Sequence, residues 1–336
     1  MSRSWGDLNA RARGLGTHLL ARRELDALAQ LPDLAAIGTA LRARGYPLEE
    51  GASDPATLEL AMRRVAAARL RVIARWSGPR VAVLTVLFED EDRRSLRALL
   101  RGAVQRAPAE ARLAGLIPTP ALPERALAQL AALAAPGEIA ALLTAWDNPY
   151  GSPLLSFARA TEPDLFALEN TINRTFAARA SRAARGVSLL AEYAREAIDL
   201  ENAYAALVLA SEGKDVTPKD VMLPGGDRVS ITVFEQAASA PDPAAAGRLL
   251  ATAFAGTSLA PPFAELSRDA GRLEDAVLRA RIRRLARASR SAPLGPAPLL
   301  AYALRVRAEI VDVQRIVWGR ALGVLPAGLA SELVSV

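Results

Sequence analysis

The sequence predicts an all-α fold made of three related helical units of about 110 residues each, and three observations support that prediction. Ala and Leu dominate a chain of 336 residues that is 51% hydrophobic and only 5% aromatic. Ala and Leu are strong helix formers, whereas strands favour β-branched and aromatic residues. The second observation is a helical periodicity of apolar residues, and the third is a long internal repeat.

Apolar residues recur at helical spacing in most segments, and short loops containing Pro or Gly separate these segments. The clearest predicted helices are "RRELDALAQL" (22–31), "ERALAQLAALA" (124–134) and "RLEDAVLRARIRRLARAS" (272–289). Two stretches also have the composition of strands, residues 80–88 and residues 228–236. We predict a buried helix for the first, and the pattern leaves helix or strand open for the second.

Four sequence features recur three times, in the same order each time. The first is a helix that follows a proline and ends in Thr-Ala, and the second is a turn that contains an aromatic residue and a proline. The third is Leu-Glu with an arginine five residues after the glutamate, and the fourth is Glu-x-x-Asp. The first feature is "PDLAAIGTAL" (32–41), "PGEIAALLTAW" (136–146) and "PDPAAAGRLLATAF" (241–254). The second feature is "GYP" (45–47), "NPY" (148–150) and "PPF" (261–263). The third feature is Leu58, Glu59 and Arg64; Leu168, Glu169 and Arg174; Leu273, Glu274 and Arg279. The fourth feature is Glu89 and Asp92; Glu196 and Asp199; Glu309 and Asp312.

The spacing of the repeats is regular. The first prolines are 104 and 105 residues apart, and the glutamates of Glu-x-x-Asp are 107 and 113 residues apart. Four features in register, three times over, indicate three copies of one helical unit. We place these copies at about residues 1–125, 126–235 and 236–336 of a single all-helical body. Because similar units are joined in series, we expect a pseudo-threefold arrangement with a central concavity.

Several classes of functional site are excluded or disfavoured. Without cysteine the chain has no disulfide, zinc thiolate, iron–sulfur cluster or cysteine nucleophile. The one histidine, His18, has apolar neighbours and no acidic cluster nearby, so we expect a structural or surface role for it. The sequence contains no P-loop, dinucleotide fingerprint or nucleophile elbow. We therefore expect no catalytic, cofactor-binding or metal-binding residues.

The charge distribution leaves two kinds of partner open. No signal peptide and no uncharged stretch of membrane-spanning length is visible, so we expect a cytoplasmic protein. The net charge is +6, which is compatible with nucleic acid or an anionic membrane surface as partner. The densest basic run, "RARIRRLARASR" (279–290), is interpreted as a solvated helix face from which Ile282 and Leu285 point away. Phosphate contact is the alternative for this run.

The Glu-x-x-Asp pairs are the strongest candidates for chemistry. Three residues apart on a helix, the two carboxylates share one face, which acid–base catalysis could use. A structural interpretation is that each pair lies near the start of a helix, where the macrodipole favours negative charge. An enzyme rarely needs three equivalent dyads. We therefore favour a fold-anchoring role in which each pair contacts an arginine of the Leu-Glu helix.

Longer stretches of the sequence resemble a known family, the rotary V-type/A-type ATPase rotor subunit called d or C. The resemblance is carried by "EAIDLENAYAALVLASEGKDVTPKDVMLPGG" from Glu196, and by the opening "LNARARGLGTHLLARRELDALAQLPDLAAIGTALRARGYP". "EDRRSLRALLRG" and "AEIVDVQRIVWGRALGVLP" are similar to the signatures of the first and third units. The similarity extends from about Trp5 to Glu332. Two departures are that Asn202 is not followed by the family's basic pair, and that Ser95 stands at the corresponding Asn position.

This resemblance implies an all-α, funnel-like protein without an active site or cofactor. It implies a peripheral position on the cytoplasmic face of a membrane rotor ring, with the central stalk as the second partner. Such a protein would transmit torque between ATP turnover and ion movement. The alternative that the residues leave open is a basic helical-repeat protein that binds nucleic acid. A helical enzyme that uses the carboxylate pairs is the least favoured interpretation.

Overall fold

The all-α prediction is confirmed. The computed structural model describes residues 5–158, 163–212, 217–266 and 270–335. Helices account for 73% of the chain, and the described ranges contain no strand. The arrangement of three repeats about a pseudo-threefold axis stays a prediction, as do the boundaries at about residues 125 and 235.

Helices in the described residues are numbered α1 to α18 in chain order. The first part of the chain forms α1 (Gly6–Gly16), α2 (Arg22–Ala29), α3 (Leu34–Ala43), α4 (Pro55–Ser77), α5 (Val81–Val104), α6 (Ala109–Leu113), α7 (Glu124–Ala131), α8 (Pro136–Ala145) and α9 (Gly151–Ala158). The remainder forms α10 (Leu165–Ala183), α11 (Ser188–Glu212), α12 (Pro218–Val221), α13 (Ile231–Ala238), α14 (Pro243–Ala253), α15 (Ala260–Ala264), α16 (Ala270–Ser291), α17 (Ala297–Ala321) and α18 (Pro326–Ser331). A 3-10 turn at Gly78–Arg80 joins α4 to α5.

Contacts between the helices divide the chain into two compact units. Unit 1 comprises Met1–Val81, Asp90–Glu138 and Leu285–Val336. Unit 2 comprises Ala82–Glu89 and Ile139–Arg284.

The ends of the helices follow ordinary capping chemistry. An aspartate or a serine caps several N-termini, because its side-chain oxygen accepts a backbone N–H that has no partner within the helix. The Asp54 carboxylate accepts the N–H of Thr57 at 2.8 Å at the start of α4. Pro55 then occupies the first helical position, where a missing N–H costs nothing. The other side chains that cap in this way are Asp33, Asp164, Ser230 and Asp242.

The core of unit 1 lies along α17. This helix packs against α1, α2, α3 and α4, and it is buried along most of its length. Fully buried residues of α17 include Leu300, Val306, Val313 and Ile316. A helix buried along most of its length is typical of a central position in the core.

Unit 2 has its own core. The second half of α11 packs with α13 and α14, and α14 packs with α15. The aromatic rings of Phe254 and Phe263 stack with their centroids 5.0 Å apart in this core. Aromatic side chains bury more apolar area than any others, so two stacked rings compensate for a composition poor in aromatics.

The predicted helices are confirmed. In the stretch 80–88, residues 81–88 lie in α5, and Leu84, Val86, Leu87 and Phe88 are buried, as predicted.

The open question about residues 228–236 is also answered. Ser230 caps α13, which begins at Ile231, and Phe234 is fully buried, so this stretch is a helix. β-branched residues therefore lie in a helix here, because the packing of Val233 and Phe234 against the core outweighs their weak helix propensity.

The predicted aromatic turns differ among the three repeats. "GYP" at 45–47 and "NPY" at 148–150 lie in connections that follow α3 and α8. "PPF" at 261–263 lies inside α15 instead of in a turn, because prolines fit the first turn of a helix. The aromatic residue is buried in all three: Tyr46, Tyr150 and Phe263.

Candidate functional site

The three Glu-x-x-Asp pairs lie in the interior of helices, not at their starts. Glu89 is the ninth residue of α5, Glu196 the ninth of α11 and Glu309 the thirteenth of α17. The macrodipole acts mainly on the first turn, so it does not explain these acids. The prediction that each Glu-x-x-Asp pair lies near the start of a helix is therefore wrong. Other groups compensate the negative charge of these carboxylates.

Glu309 has the most buried glutamate side chain of the three, with 1% exposure. Its carboxylate accepts a hydrogen bond from the Tyr46 hydroxyl at 2.5 Å and from the Leu20 backbone N–H at 2.7 Å. The Arg69 guanidinium donates to the same carboxylate, and its second nitrogen donates to the carbonyl oxygen of His18 at 3.1 Å. The buried negative charge is thus paired and hydrogen-bonded within the protein, which is the arrangement that makes such burial tolerable.

The ionisation states around Glu309 follow from burial and from neighbouring charges. Burial raises the pKa of Tyr46 well above its ordinary value, and the negative charge of Glu309 adds to this effect. Burial lowers the pKa of Arg69, but Glu309 and Tyr46 raise it, and the result is a raised pKa. Burial also raises the pKa of Tyr302 to about 12. At neutral pH Tyr46 is therefore a neutral donor and Arg69 a cation.

The other two glutamates bind arginines in the same way. In unit 2 the Arg179 Nε donates to Glu89 at 2.8 Å. Also in unit 2, Arg281 and Arg284 donate to Glu196 at 2.8 Å and 3.1 Å. Arg281 is 3% exposed, and its guanidinium lies over the ring of Tyr193, 4.3 Å from the ring centroid.

The partners confirm the predicted anchoring role and connect successive repeats. Each glutamate binds an arginine of a Leu-Glu helix, as predicted. In sequence order, Glu89 of the first repeat binds the second repeat's helix α10, and Glu196 of the second binds the third repeat's helix α16. Glu309 of the third binds the first repeat's helix α4. Each glutamate therefore contacts a helix of another repeat.

The arginine five residues after the glutamate of the Leu-Glu pair is not the one that binds the Glu-x-x-Asp glutamate on α4 and α10. Arg64 instead pairs with Glu124 at 3.2 Å, and Arg174 donates to the carbonyl oxygen of Asp220. On each Leu-Glu helix an arginine ten residues after the glutamate binds a Glu-x-x-Asp glutamate: Arg69, Arg179 and Arg284. On α16 Arg281 binds Glu196 as well. That constant spacing was available in the sequence as a fifth recurring feature.

The aspartates of the pairs hold the chain that follows each helix. The Asp199 carboxylate accepts the backbone N–H groups of residues 227, 228 and 229 at 3.0–3.1 Å. The Asp312 carboxylate accepts those of Val334 and Ser335 at 2.5 and 2.8 Å. Asp92 accepts the Thr119 hydroxyl at 2.5 Å. Asp199 and Asp312 thus accept backbone N–H groups that would otherwise lack a partner, as an N-cap residue does for a helix, whereas Asp92 binds a side chain.

Burial and hydrogen bonds act in opposite directions on two of these aspartates. Burial raises the pKa of Asp199, while the three backbone N–H groups lower it, and the pKa remains raised overall. Burial likewise raises the pKa of Asp312, against hydrogen bonds from Ser335 and Val334 that lower it. A raised pKa is often a sign of a functional acid. Here the same carboxylates are occupied by protein donors.

Asn202 and Glu59 are further buried polar residues with structural partners. The Asn202 side chain accepts the Leu223 N–H at 2.7 Å and donates to the Leu223 carbonyl at 3.0 Å, as a strand neighbour would. Glu59 accepts the Gly115 N–H at 2.5 Å and the indole N–H of Trp318 at 2.6 Å. Asn202 belongs to a motif that the sequence shows, whereas no sequence feature indicated the partners of Glu59.

A cleft of about 350 Å³ in unit 2 is lined by Glu196, Asp199 and Arg284, among other residues. It is the place where a catalytic dyad would be expected. Both carboxylates are already bound, Glu196 by two arginines and Asp199 by three backbone N–H groups. An acid held in this way is poorly placed to exchange a proton with a substrate, and this geometry favours the structural role.

In the described part of the chain, no three His, Asp or Glu side chains are grouped so that they could hold a metal ion. Among the described helices, none is both long and apolar enough to cross a membrane.

In the basic run at 279–290, Ile282 and Leu285 are buried as predicted, but Arg281 is buried with them, so this is only partly a solvated face.

The fold and these contacts define a class of protein: an all-helical chain whose repeated acids serve as structural anchors. The chain matches the model of the ATP synthase (C/AC39) subunit family over residues 8–327, and it belongs to this family. It is therefore a subunit of a V/A-type rotary ATPase complex. The search of curated proteins gave no match to the chain.

Proposed function

We propose that this chain is the non-catalytic rotor subunit that couples the central stalk of a V/A-type ATPase to its membrane ring. The observation that carries the proposal is family membership over residues 8–327. The motifs quoted from Glu196 to Gly226, and their counterparts in the other repeats, agree with the rotor subunit in particular. In this role the chain lies peripherally on the cytoplasmic face of the membrane and binds the ring on one side and the stalk on the other.

The contacts of the acid pairs support a mechanical role. A coupler transmits torque only if its helices do not slide past one another under load. The side chains of the Glu309–Arg69 ion pair have little conformational freedom, because Glu309 is buried, Arg69 is only 11% exposed, and both have further hydrogen-bond partners. Buried polar networks whose members all have partners make the packing of helices specific and rigid. We further propose that the three sequence repeats are three equivalent structural units joined by these pairs.

Deletion of the chain from its complex tests the proposal. We expect ATP hydrolysis by the catalytic part to continue, while ion transport linked to hydrolysis or synthesis is lost. Adding back the wild-type chain restores transport. Transport that is undiminished without the chain contradicts the proposal.

Affinity purification from native membranes tests the proposed partners. We expect the tagged chain to bring down both ring and stalk subunits. Recovery without any ring or stalk subunit contradicts the assignment of partners.

A further inference from the structure

Three stretches of unit 1 contain many arginines and no acidic residue. Residues 8–23 contain four arginines, residues 60–80 contain six and residues 285–308 contain four, and none of these stretches contains Asp or Glu. In the whole chain acidic and basic residues are nearly balanced, at 36 and 42. The positive charge is therefore concentrated in these stretches.

The fold brings the three stretches together around α1. This helix packs against both α4 and α17. On one side the Arg11 guanidinium lies over the ring of Trp76, 4.6 Å from its centroid. On the other side Gly16 lies against the side chains of Arg305 and Tyr302. The acid just before the first stretch, Asp7, is held in a bidentate pair by Arg80 at 2.7 Å, so it neutralises no other cation.

Exposed arginines on these elements form what we call the basic face. Except for the contact of Arg11 with Trp76, the structure gives their guanidinium groups no ion pair or hydrogen bond in the described part of the chain. By contrast, Arg69 and Arg80 in the same stretches have carboxylate partners. The basic face consists of Arg11, Arg13, Arg71, Arg75, Arg287, Arg290 and Arg305.

A leucine is held outward beside this face. The loop between α16 and α17 presents Leu294, which is 69% exposed. The buried Asn9 amide of α1 donates to the carbonyl oxygens on both sides of it, Pro293 at 2.9 Å and Gly295 at 2.7 Å. The loop is therefore fixed to α1, and it cannot fold inward to bury its leucine without losing both hydrogen bonds. A large apolar side chain held in water in this way is suited to contact with an apolar phase.

We propose that the basic face docks on the anionic surface of a lipid bilayer, with Leu294 entering the headgroup region. Guanidinium groups bind phosphate oxygens through paired N–H donors. A surface rich in arginine, whose neighbouring carboxylate Asp7 is already paired with Arg80, matches a sheet of phosphates better than a protein surface, where charges of both signs alternate. An apolar tip beside basic residues is the usual combination in proteins that lie on a membrane surface.

Vesicle flotation tests the proposal with the full chain. The probes are vesicles of phosphatidylcholine alone and vesicles that contain phosphatidylglycerol. We expect binding only to the anionic vesicles, and weaker binding as salt is raised. Each arginine near an anionic surface contributes roughly a fivefold change in affinity. Replacing Arg75, Arg290 and Arg305 by Ala should therefore weaken binding on the order of a hundredfold.

Two further variants make the result specific. Arg125, Arg185 and Arg248 are also exposed and lie away from the basic face in sequence, so replacing all three by Ala lowers the net charge equally. This control should bind within about twofold of wild type. Leu294→Ser should weaken binding severalfold even at high salt, because it removes an apolar contact and no charge. Circular dichroism and the melting temperature verify that every variant is folded.

Three outcomes overturn the proposal. One is equal binding to neutral and anionic vesicles, and another is an equal loss in both triple-alanine variants. The third is a wild-type chain that does not bind vesicles, together with a basic-face variant that no longer purifies with ring or stalk subunits. That result would make the basic face a binding site for an acidic protein. The proposed coupling function is tested separately by ion transport, so its failure and the failure of lipid docking are distinguishable.

Discussion

Several buried charged side chains of this protein are bound by more than one partner, and Asp199 is the clearest case. One carboxylate satisfies the N–H groups of three successive residues, 227 to 229. The backbone at Gly226 runs so close that a Cβ there would overlap the same carboxylate. The glycine in "LPGGD" is therefore required for this close approach, and not for binding a phosphate.

We expect Asp199→Ala to destabilise unit 2 by about 2–4 kcal/mol, because three backbone donors lose a charged acceptor inside the protein. The neighbouring Asp227 is exposed, and Asp227→Ala should change stability by less than about 0.5 kcal/mol. Urea unfolding monitored by circular dichroism measures both variants. Equal effects from the two variants would show that the buried contacts contribute little.

Asp312 gives a prediction about pH. Its pKa in the folded protein is raised above the ordinary value of 3.8, chiefly by burial. As pH rises between these two pKa values, the unfolded chain releases its proton first, so the carboxylate favours unfolding and stability falls. Asp312→Asn removes this dependence. The unfolding free energy of wild type minus that of the variant should therefore decrease from about pH 3 upward, and reach a plateau above the folded pKa.

Urea titrations of both proteins across this pH range measure the effect. A difference between wild type and Asp312→Asn that is constant with pH, or that increases, contradicts the raised pKa.

At the scale of single helices, α4 contains two arginines with different surroundings. Arg69 is nearly buried and pairs with the buried Glu309, whereas Arg64 forms an exposed pair with Glu124. Exposed pairs contribute little because water screens them, but removing one partner of a buried pair leaves an uncompensated charge in the protein.

We therefore expect Arg69→Ala to cost about 3–5 kcal/mol and Arg64→Ala less than about 1 kcal/mol. Both changes are in the same helix and remove the same side chain, so helix propensity cancels between them. Thermal unfolding of the two variants gives the comparison. Similar melting temperatures would mean that Glu309 is satisfied without Arg69.

The positions of the acid pairs illustrate what helix-level reasoning misses. Spacing alone correctly places Glu and Asp of each pair on one helical face. It does not say how far the helix extends before them, and α5, α11 and α17 all begin more than two turns earlier. Residues ahead of the pairs are apolar enough to continue the helix, so its start lies further upstream than the acids suggest.

At the scale of the whole molecule, the three glutamate contacts link repeats in the order first to second, second to third and third to first. The arginines in these contacts differ in exposure, so removal of the three glutamate charges should destabilise the protein to different degrees. Replacing Glu309 by Gln takes the carboxylate partner away from Arg69, whose side chain is 11% exposed. Replacing Glu89 by Gln does the same to Arg179, but its side chain is 37% exposed and its charge can be hydrated.

We expect Glu89→Gln to be the least destabilising of the three glutamine variants. Glu309→Gln and Glu196→Gln should cost more, because the arginines they affect, Arg69 and Arg281, are only 11% and 3% exposed. Amide hydrogen exchange resolves the effect within each unit, where a single unfolding midpoint does not. Fastest exchange in the Glu89→Gln variant would contradict this order.

Much of this protein could be predicted from its sequence. Ala-rich and Leu-rich periodicity gives the all-α class, since helix formation depends largely on local propensity and on one apolar face. The threefold recurrence of Glu-x-x-Asp argues against a catalytic dyad, and the quoted motifs indicate the family that the match over residues 8–327 establishes. These are properties of short segments and of their order along the chain.

The tertiary structure alone shows which arginine reaches each glutamate, that the acids lie deep inside helices, and that Asn9 of α1 fixes the loop around Leu294. Each of these contacts joins residues far apart in sequence: Glu309 lies 240 residues from Arg69, and Asn9 lies 284 residues from Pro293. Periodicity specifies the face on which a side chain lies, but not which distant helix packs against that face. The partner of a buried charge is determined by the packing of the whole core, and only the folded chain contains that information.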